Sequence, residues 1–198
     1  MSKKGVLSVS IDRKALILQA ATLSFVQFGY KATTMDQVSR IANVGKGTIY
    51  TFFKTKEELF EEILDKATQE LMSVMNHVAA QQTTFMHKLF DLLDSILEFR
   101  SDHELFVKLA QEVRDIGTVQ ALEGVKRMEA YALDFLRQQI EGAIADGEVK
   151  PCDPDVAAFM ILRLYLALTT EWNKSHEPLD KNRIKEHMIL FISAGILL

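Results

Sequence analysis

NVGKGTIYTFFKTKEELF, residues 43–60, is the stretch on which the reading of this chain turns. Two glycines flank Lys46, an aromatic knot follows at Tyr50, Phe52 and Phe53, and Thr55 with Glu58 has the spacing of a capping box at the head of a long helix. Asn43 tolerates the left-handed conformation that ends a helix, so the segment reads as a turn, a short helix from about Lys46 to Phe52, and a helix reaching Ala79. Upstream, TTMDQVSRIAN supplies another helix: Thr34 and Gln37 form a second capping-box signal, and Val38, Ile41 and Ala42 give an apolar face. Before that, Ile17, Ala20, Ala21, Phe25 and Phe28 recur at helical spacing between Asp12 and Gly29, with Ser10 as the candidate cap.

Three short helices with a tight turn between the last two suit a helix-turn-helix unit, whose second helix leaves an outer face free for a major groove. Val38, Ile41, Val44 and Ile49 form the expected inner seam, while Lys46, Thr48 and Tyr50 project outward. Thr33, Thr34, Lys54 and Lys56 flank that helix along a backbone path. The chemistry fits a polyanion: lysines neutralise phosphates, hydroxyls and helix N-termini donate to phosphate oxygens, and glycine permits close approach. Many small helical proteins contain such a turn, so the physics alone leaves an ordinary helical core open.

The longer pattern FVQFGYKATTMDQVSRIANVGKGTIYTFFKTKEELF, Phe25 to Phe60, resembles the DNA-binding head of the TetR family of transcriptional regulators. The likeness rests on Phe25, Phe28, Gly29 and Tyr30, on Thr33 and Thr34, on Ile41 and Ala42, on VGKGTIY, and on Phe53 with Lys56 to Leu59. It implies that Tyr50 and Lys56 hold phosphates, that Thr34 both caps its helix and approaches the backbone, and that Lys46, Gly47 and Thr48 face base edges. Phe53, and Phe52 with it, read as structural. Asn43 stands where the family commonly has glycine, and Gly45 where serine or threonine often opens the recognition helix. A glycine cap costs only about a few tenths of a kcal/mol against serine.

The whole chain of 198 residues is soluble and globular in composition, 48% apolar and 25% charged, with three prolines and nine glycines. Lysine and arginine outnumber acids nine to four through residue 60, whereas acids lead twenty-three to fourteen beyond it, giving a basic head on an acidic body. One cysteine, Cys152, excludes an internal disulfide, and five scattered histidines form no metal-ligand cluster. Neither a secretion signal nor an apolar run long enough for a bilayer is present, so the expected location is the cytoplasm. No metal and no cofactor are implied.

The expected fold is all-α: a helix-turn-helix head over 1–55 joined to a larger helical body over 56–198 that binds an effector and dimerises. Further helices are expected over 84–100, 103–115, 118–146, 154–176 and 180–196, with Gly147, Asp153, Pro154 and Asp180 marking breaks. Leu93, Phe106, Val113, Met128, Tyr131, Phe135 and Tyr165 are candidate walls of an effector pocket, most of such residues being ordinary core. Arg114, Glu171 and Trp172 are its polar candidates, a surface salt bridge being the competing role for the two charges. Val156, Phe159, Met160 and Leu164 in one helix and Ile184, Met188, Phe191 and Ile192 in the last are candidate dimer contacts, with parts of both faces serving the internal core. The resemblance implies that these two helices pair with their symmetry mates.

The expected partners are a double-stranded, palindromic operator, a second copy of the chain and a small hydrophobic or amphipathic effector that releases a repressor from DNA. A helical scaffold without operator-specific regulation is the alternative. An enzyme would need a convergent catalytic constellation. The chain has no compact Ser-His-Asp or Cys-His pattern and therefore no candidate catalytic residue, and VGKG lacks the spacing of a phosphate loop.

Overall fold

The computed structural model of the protein describes residues 12–102, Leu105, Lys108, Glu112 and 117–197. Its helices are α1 (Arg13–Ala32), α2 (Met35–Ile41), α3 (Lys46–Phe52), α4 (Lys56–Ala79), α5 (Phe85–Asp102), α6 (Val119–Ala145), α7 (Pro154–Leu166) and α8 (Lys181–Ile196). Apart from Leu105, Lys108 and Glu112, the helix expected over 103–115 lies outside the described residues. Apart from one antiparallel bridge between Val149 and Leu197, the regular elements among the described residues are all helical.

Local chemistry sets the helix starts. Thr34, Thr55, Asp153 and Asp180 each accept a backbone N–H from the first turn of the helix that follows, and at α1 Asp12 does so, the expected cap Ser10 lying outside the described residues. At α4 the box is reciprocal, but Glu58 reaches back to the N–H of Lys54 (2.7 Å) rather than to that of Thr55. The helical path of α1 breaks at Gly29 (φ 78°, ψ 170°), a backbone conformation that L side chains rarely adopt. Asn43 takes φ 52° and makes the turn into α3, as its residue type suggests.

The expected helix over 154–176 changes character. Beyond Leu166 it continues as a π-helical segment, Ala167–Glu171, and a 3₁₀ turn, Trp172–Lys174. The hydroxyls of Thr169 and Thr170 donate to the carbonyls of Tyr165 and Leu166, and the Asn173 amide donates to that of Thr169. Side chains competing for successive carbonyls in one turn account for the opened ladder.

Two apolar cores result, and α4 and α6 run through both. The first joins Ile17, Phe25, Tyr30, Val38, Ile49 and Phe53 of the head to Leu59, Phe60, Ile63 and Leu64 of α4 and to Leu105 and Ala121 of the body. The Phe60 ring sits edge-on to Phe25 at 5.1 Å and against Tyr30 at 4.6 Å. The second joins Leu71, Met75 and Val78 of α4 to Leu89 and Leu93, to Leu136 and Ile140 of α6, and to residues of α7 and α8. Residue 55 therefore marks the start of α4, while the head's apolar core continues beyond it. Phe28 and Ile41, expected inward, are exposed. Phe25 and the i, i+4 pair Val38 and Ala42, expected inward as well, do hold the inward line.

Candidate nucleic-acid interface

The buried side of α3 is Ile49 and, just past the helix, Phe53; this anchor turns Lys46, Gly47, Tyr50, Thr51 and Phe52 to solvent, with Thr48 half-buried. A Cβ added at Gly47 would meet nothing within 4 Å, so no contact inside the chain requires glycine there. Lys46 Nζ lies 2.8 and 2.9 Å from the two carboxylate oxygens of Asp36, in the first turn of α2. That hydrogen bond, with the charge behind it, raises the lysine's affinity for its proton. Thr34 is exposed, and its oxygen accepts the Gln37 N–H (3.2 Å), which leaves its own proton to donate outward. Lys54 is exposed.

Two candidates are placed differently from expectation. Thr33 is buried, and its hydroxyl donates to the carbonyls of Ser24 (3.0 Å) and Gly29 (2.8 Å), so the side chain closes the end of α1 and offers nothing outward. Lys56 is half-buried: Nζ donates to the carbonyls of Tyr30 (2.9 Å) and Thr33 (3.0 Å) and lies 4.3 Å from the centroid of the Tyr30 ring. An ammonium has three donors, so one remains beyond these two carbonyls.

Tyr30 stands out in sequence only within the family resemblance, yet it is the hub of the head. Its phenol donates to Glu57 (2.8 Å). Burial, then the bond to Glu57, pushes its ionisation well above the ordinary tyrosine range. Its backbone N–H donates 2.5 Å to Glu112, whose carboxylate also accepts the N–H of Lys31 (3.1 Å) and the hydroxyl of Thr118 (2.8 Å). Glu112 has no signal in sequence, because the two head amides it accepts lie about eighty residues upstream.

In the body, Leu93 belongs to the second core, and Met128, Phe135 and Tyr165 pack against it. Tyr131 does not face inward but is exposed. Glu171 is exposed and pairs with Lys174, the surface salt bridge that competed with a pocket role. Trp172 stacks on His176 with ring centroids 4.0 Å apart, and its indole N–H donates to the carbonyl of Glu177 (2.9 Å). Phe106, Val113 and Arg114 lie outside the described residues.

Of the dimer candidates, Val156, Phe159, Met160 and Phe191 face outward, and Leu190, not among those candidates, does so too. Ile184, Met188 and Ile192 do not: their i, i+4, i+8 line is buried in the second core, and Leu164 packs against that core too. Among the described residues no group of three histidines, cysteines or acids is placed to hold a metal, and no helix is long and apolar enough to cross a membrane.

Comparison with known proteins bears on the same surface. A model described as bacterial regulatory proteins, tetR family, matches residues 17–63, which span α1 from Ile17, all of α2 and α3, and the first turns of α4. An uncharacterised HTH-type transcriptional regulator of Bacillus subtilis, YhgD, is 48% identical over 188 residues, covering 95% of this chain and 98% of its own. Two solved structures share the fold. One is SmeT, repressor of a Stenotrophomonas maltophilia multidrug efflux pump, in complex with triclosan: TM-score 0.77, 22% identity, 94% of this chain and 92% of the other. The other is the regulator FadR of Bacillus subtilis in complex with stearoyl-CoA: TM-score 0.75, 21% identity, 91% of this chain and 98% of the other.

Proposed function

Because the chain belongs to the TetR family of bacterial regulatory proteins, we propose that it is a homodimeric repressor that reads a two-fold operator and releases it when a small apolar or amphipathic effector enters its body. Membership sets it among DNA-binding regulators rather than enzymes. The observation that carries the reading is the division of α3 between an anchored side and an exposed side. Ile49 and Phe53 are buried, while Lys46, Gly47 and Tyr50 are presented together with a missing side chain at Gly47 that nothing in the chain explains.

In the proposed complex α3 enters the major groove. Lys46 and Thr48 meet base edges, the bare backbone at Gly47 admits close approach, and Tyr50, Thr34 and Lys54 contact phosphates on either side. Lys56 positions the end of α1 and offers its remaining N–H to the backbone. The exposed apolar residues of α7 and α8 pair with those of a second copy, which sets two heads at a fixed separation. Met128, Phe135 and Tyr165 line the effector's seat beside Leu93. Effector binding favours a head separation unsuited to successive grooves, and this requires unequal affinity for the two arrangements.

Selection of duplexes from a random pool by the full-length protein, followed by titration across salt, tests the DNA reading. A palindromic consensus with salt-dependent affinity is expected, and binding to no duplex above background would favour the scaffold. Stearoyl-CoA and triclosan, the molecules seen in the two fold relatives, are the first effector probes. A lowered operator affinity at saturation with either supports release, and unchanged affinity with both removes these two chemistries.

A further inference from the structure

The head and the body are joined by a buried carboxylate. Glu112 is 4% exposed, and its two oxygens accept three donors: the backbone N–H groups of Tyr30 and Lys31 in the head and the hydroxyl of Thr118 in the body. Both sides of this joint are shaped for it. On the head side α1 breaks at Gly29 with φ 78°, which turns two successive amides toward the carboxylate; a Cβ at Gly29 would lie 2.5 Å from Glu112 Oε2. On the body side the carbonyl of Glu112 accepts the N–H of Gly117 (3.0 Å), whose φ of 70° closes the turn and delivers Thr118 to the same carboxylate.

The joint lies at the start of an element that senses both cores. α6 begins at Val119, directly after Thr118. Its first turns place Ala121 in the head's core with Val125 against it, and Arg127 reaches Glu61 and Asp65 of α4 at 2.8 Å each. Its later turns place Leu136 and Ile140 in the second core, with Met128 and Phe135 against it. A displacement of α6 against the second core therefore reaches Thr118 through one rigid element, and Glu112 through the hydrogen bond from the Thr118 hydroxyl. Tyr30 then carries it to α4, because the residue held by Glu112 through its N–H is also bound through its carbonyl to Lys56 and through its phenol to Glu57.

We infer that Glu112 is the positioning residue that fixes the attitude of the DNA-binding head on the body, and so sets the half-site spacing the dimer accepts. Apolar packing resists separation of the two parts but tolerates sliding. A carboxylate held by two backbone amides and a hydroxyl is directional. Glu112 touches no DNA in this scheme and acts through Gly29, Tyr30 and Lys31. The inference rests on the operator-binding reading above.

The test uses the full-length dimer with the palindrome that wild type selects, and a set of duplexes whose half-sites are moved together or apart in single base-pair steps. Glu112→Gln keeps the shape but sets an amide donor against a backbone donor. It should speed hydrogen exchange at the Tyr30 and Lys31 amides. It should also reduce discrimination between the preferred spacing and its neighbours by about fivefold or more, the lower end of ordinary coupling between sites. If Glu112→Gln shows no cooperative melting, Thr118→Val takes its place; it removes one donor, leaves both amide bonds, and should relax discrimination by roughly twofold or more. A folded variant whose spacing profile superimposes on wild type overturns the inference, since a merely stabilising role lowers the melting temperature without moving the profile. So does rapid exchange of both amides in wild type. A wild-type protein that selects no duplex is a different failure, that of the operator-binding reading itself.

Discussion

On the operator-binding proposal, Gly47 and Thr33 separate folding from recognition, because each sits where one of the two is indifferent. Alanine at 47 enters open space in a helix, where it is favoured over glycine by up to about 1 kcal/mol. Gly47→Ala should leave the melting temperature unchanged or raise it, while weakening operator binding about tenfold, roughly 1.4 kcal/mol. Titration of the selected duplex checks this, and undiminished affinity would place the backbone of Gly47 away from the groove. Thr33→Val behaves in the opposite way. It keeps the shape but removes the hydroxyl that two buried carbonyls share, so unfolding should become easier by about 1–3 kcal/mol, read from denaturant midpoints. Operator affinity of the folded variant should match wild type. Neither placement was legible from residue type: threonines 33 and 34 look alike in sequence, and the break at Gly29 decides which of them turns inward.

Helix starts were legible because a cap is a local event, and Thr34, Thr55, Asp153 and Asp180 all sit within three residues of the N–H they accept. What decides between elements is not local. Asp94 of α5 receives Lys185 (2.6 Å) and Lys181 (3.2 Å) from α8, nearly ninety residues on, and no spacing rule connects them. Partial burial works against the charge of Asp94, yet the hydrogen bonds from the two lysines outweigh it and hold the carboxyl below its ordinary range. A depressed folded-state value means stability that is present above the unfolded carboxylate pKa of about 4 and lost as pH falls through the folded one. Asp94→Asn should therefore melt lower than wild type at pH 7, by under about 1 kcal/mol because the pair is partly solvated. The difference should shrink as the pH drops below about 4, and thermal melts from pH 7 to pH 2.5 follow it. A gap that persists unchanged at the acid end would assign the loss to packing rather than to charge.

The two faces of α8 show why the candidate contact surface was only half legible in sequence. The second half of the helix is apolar on both sides, so a list of its hydrophobic residues mixes the line that closes the second core with the one that looks outward. Once the fold assigns Ile184, Met188 and Ile192 to the core, what remains is Leu190 and Phe191, beside Val156, Phe159 and Met160 of α7. Met160 is 64% exposed and Phe191 62%, whereas Met188 is fully buried, so charge introduced at these sites has different consequences. Met160→Lys combined with Phe191→Lys should leave the helical spectrum intact while sedimentation reports a monomer. Each head then binds its half-site alone, and operator affinity should fall about a hundredfold or more through loss of the linked second contact. Met188→Lys places an unpaired charge in a core and should abolish cooperative melting instead. If the double variant still sediments as a dimer and keeps its affinity, the outward face of α7 and α8 is not where the two copies meet, and the separation of the heads must be set elsewhere on the body.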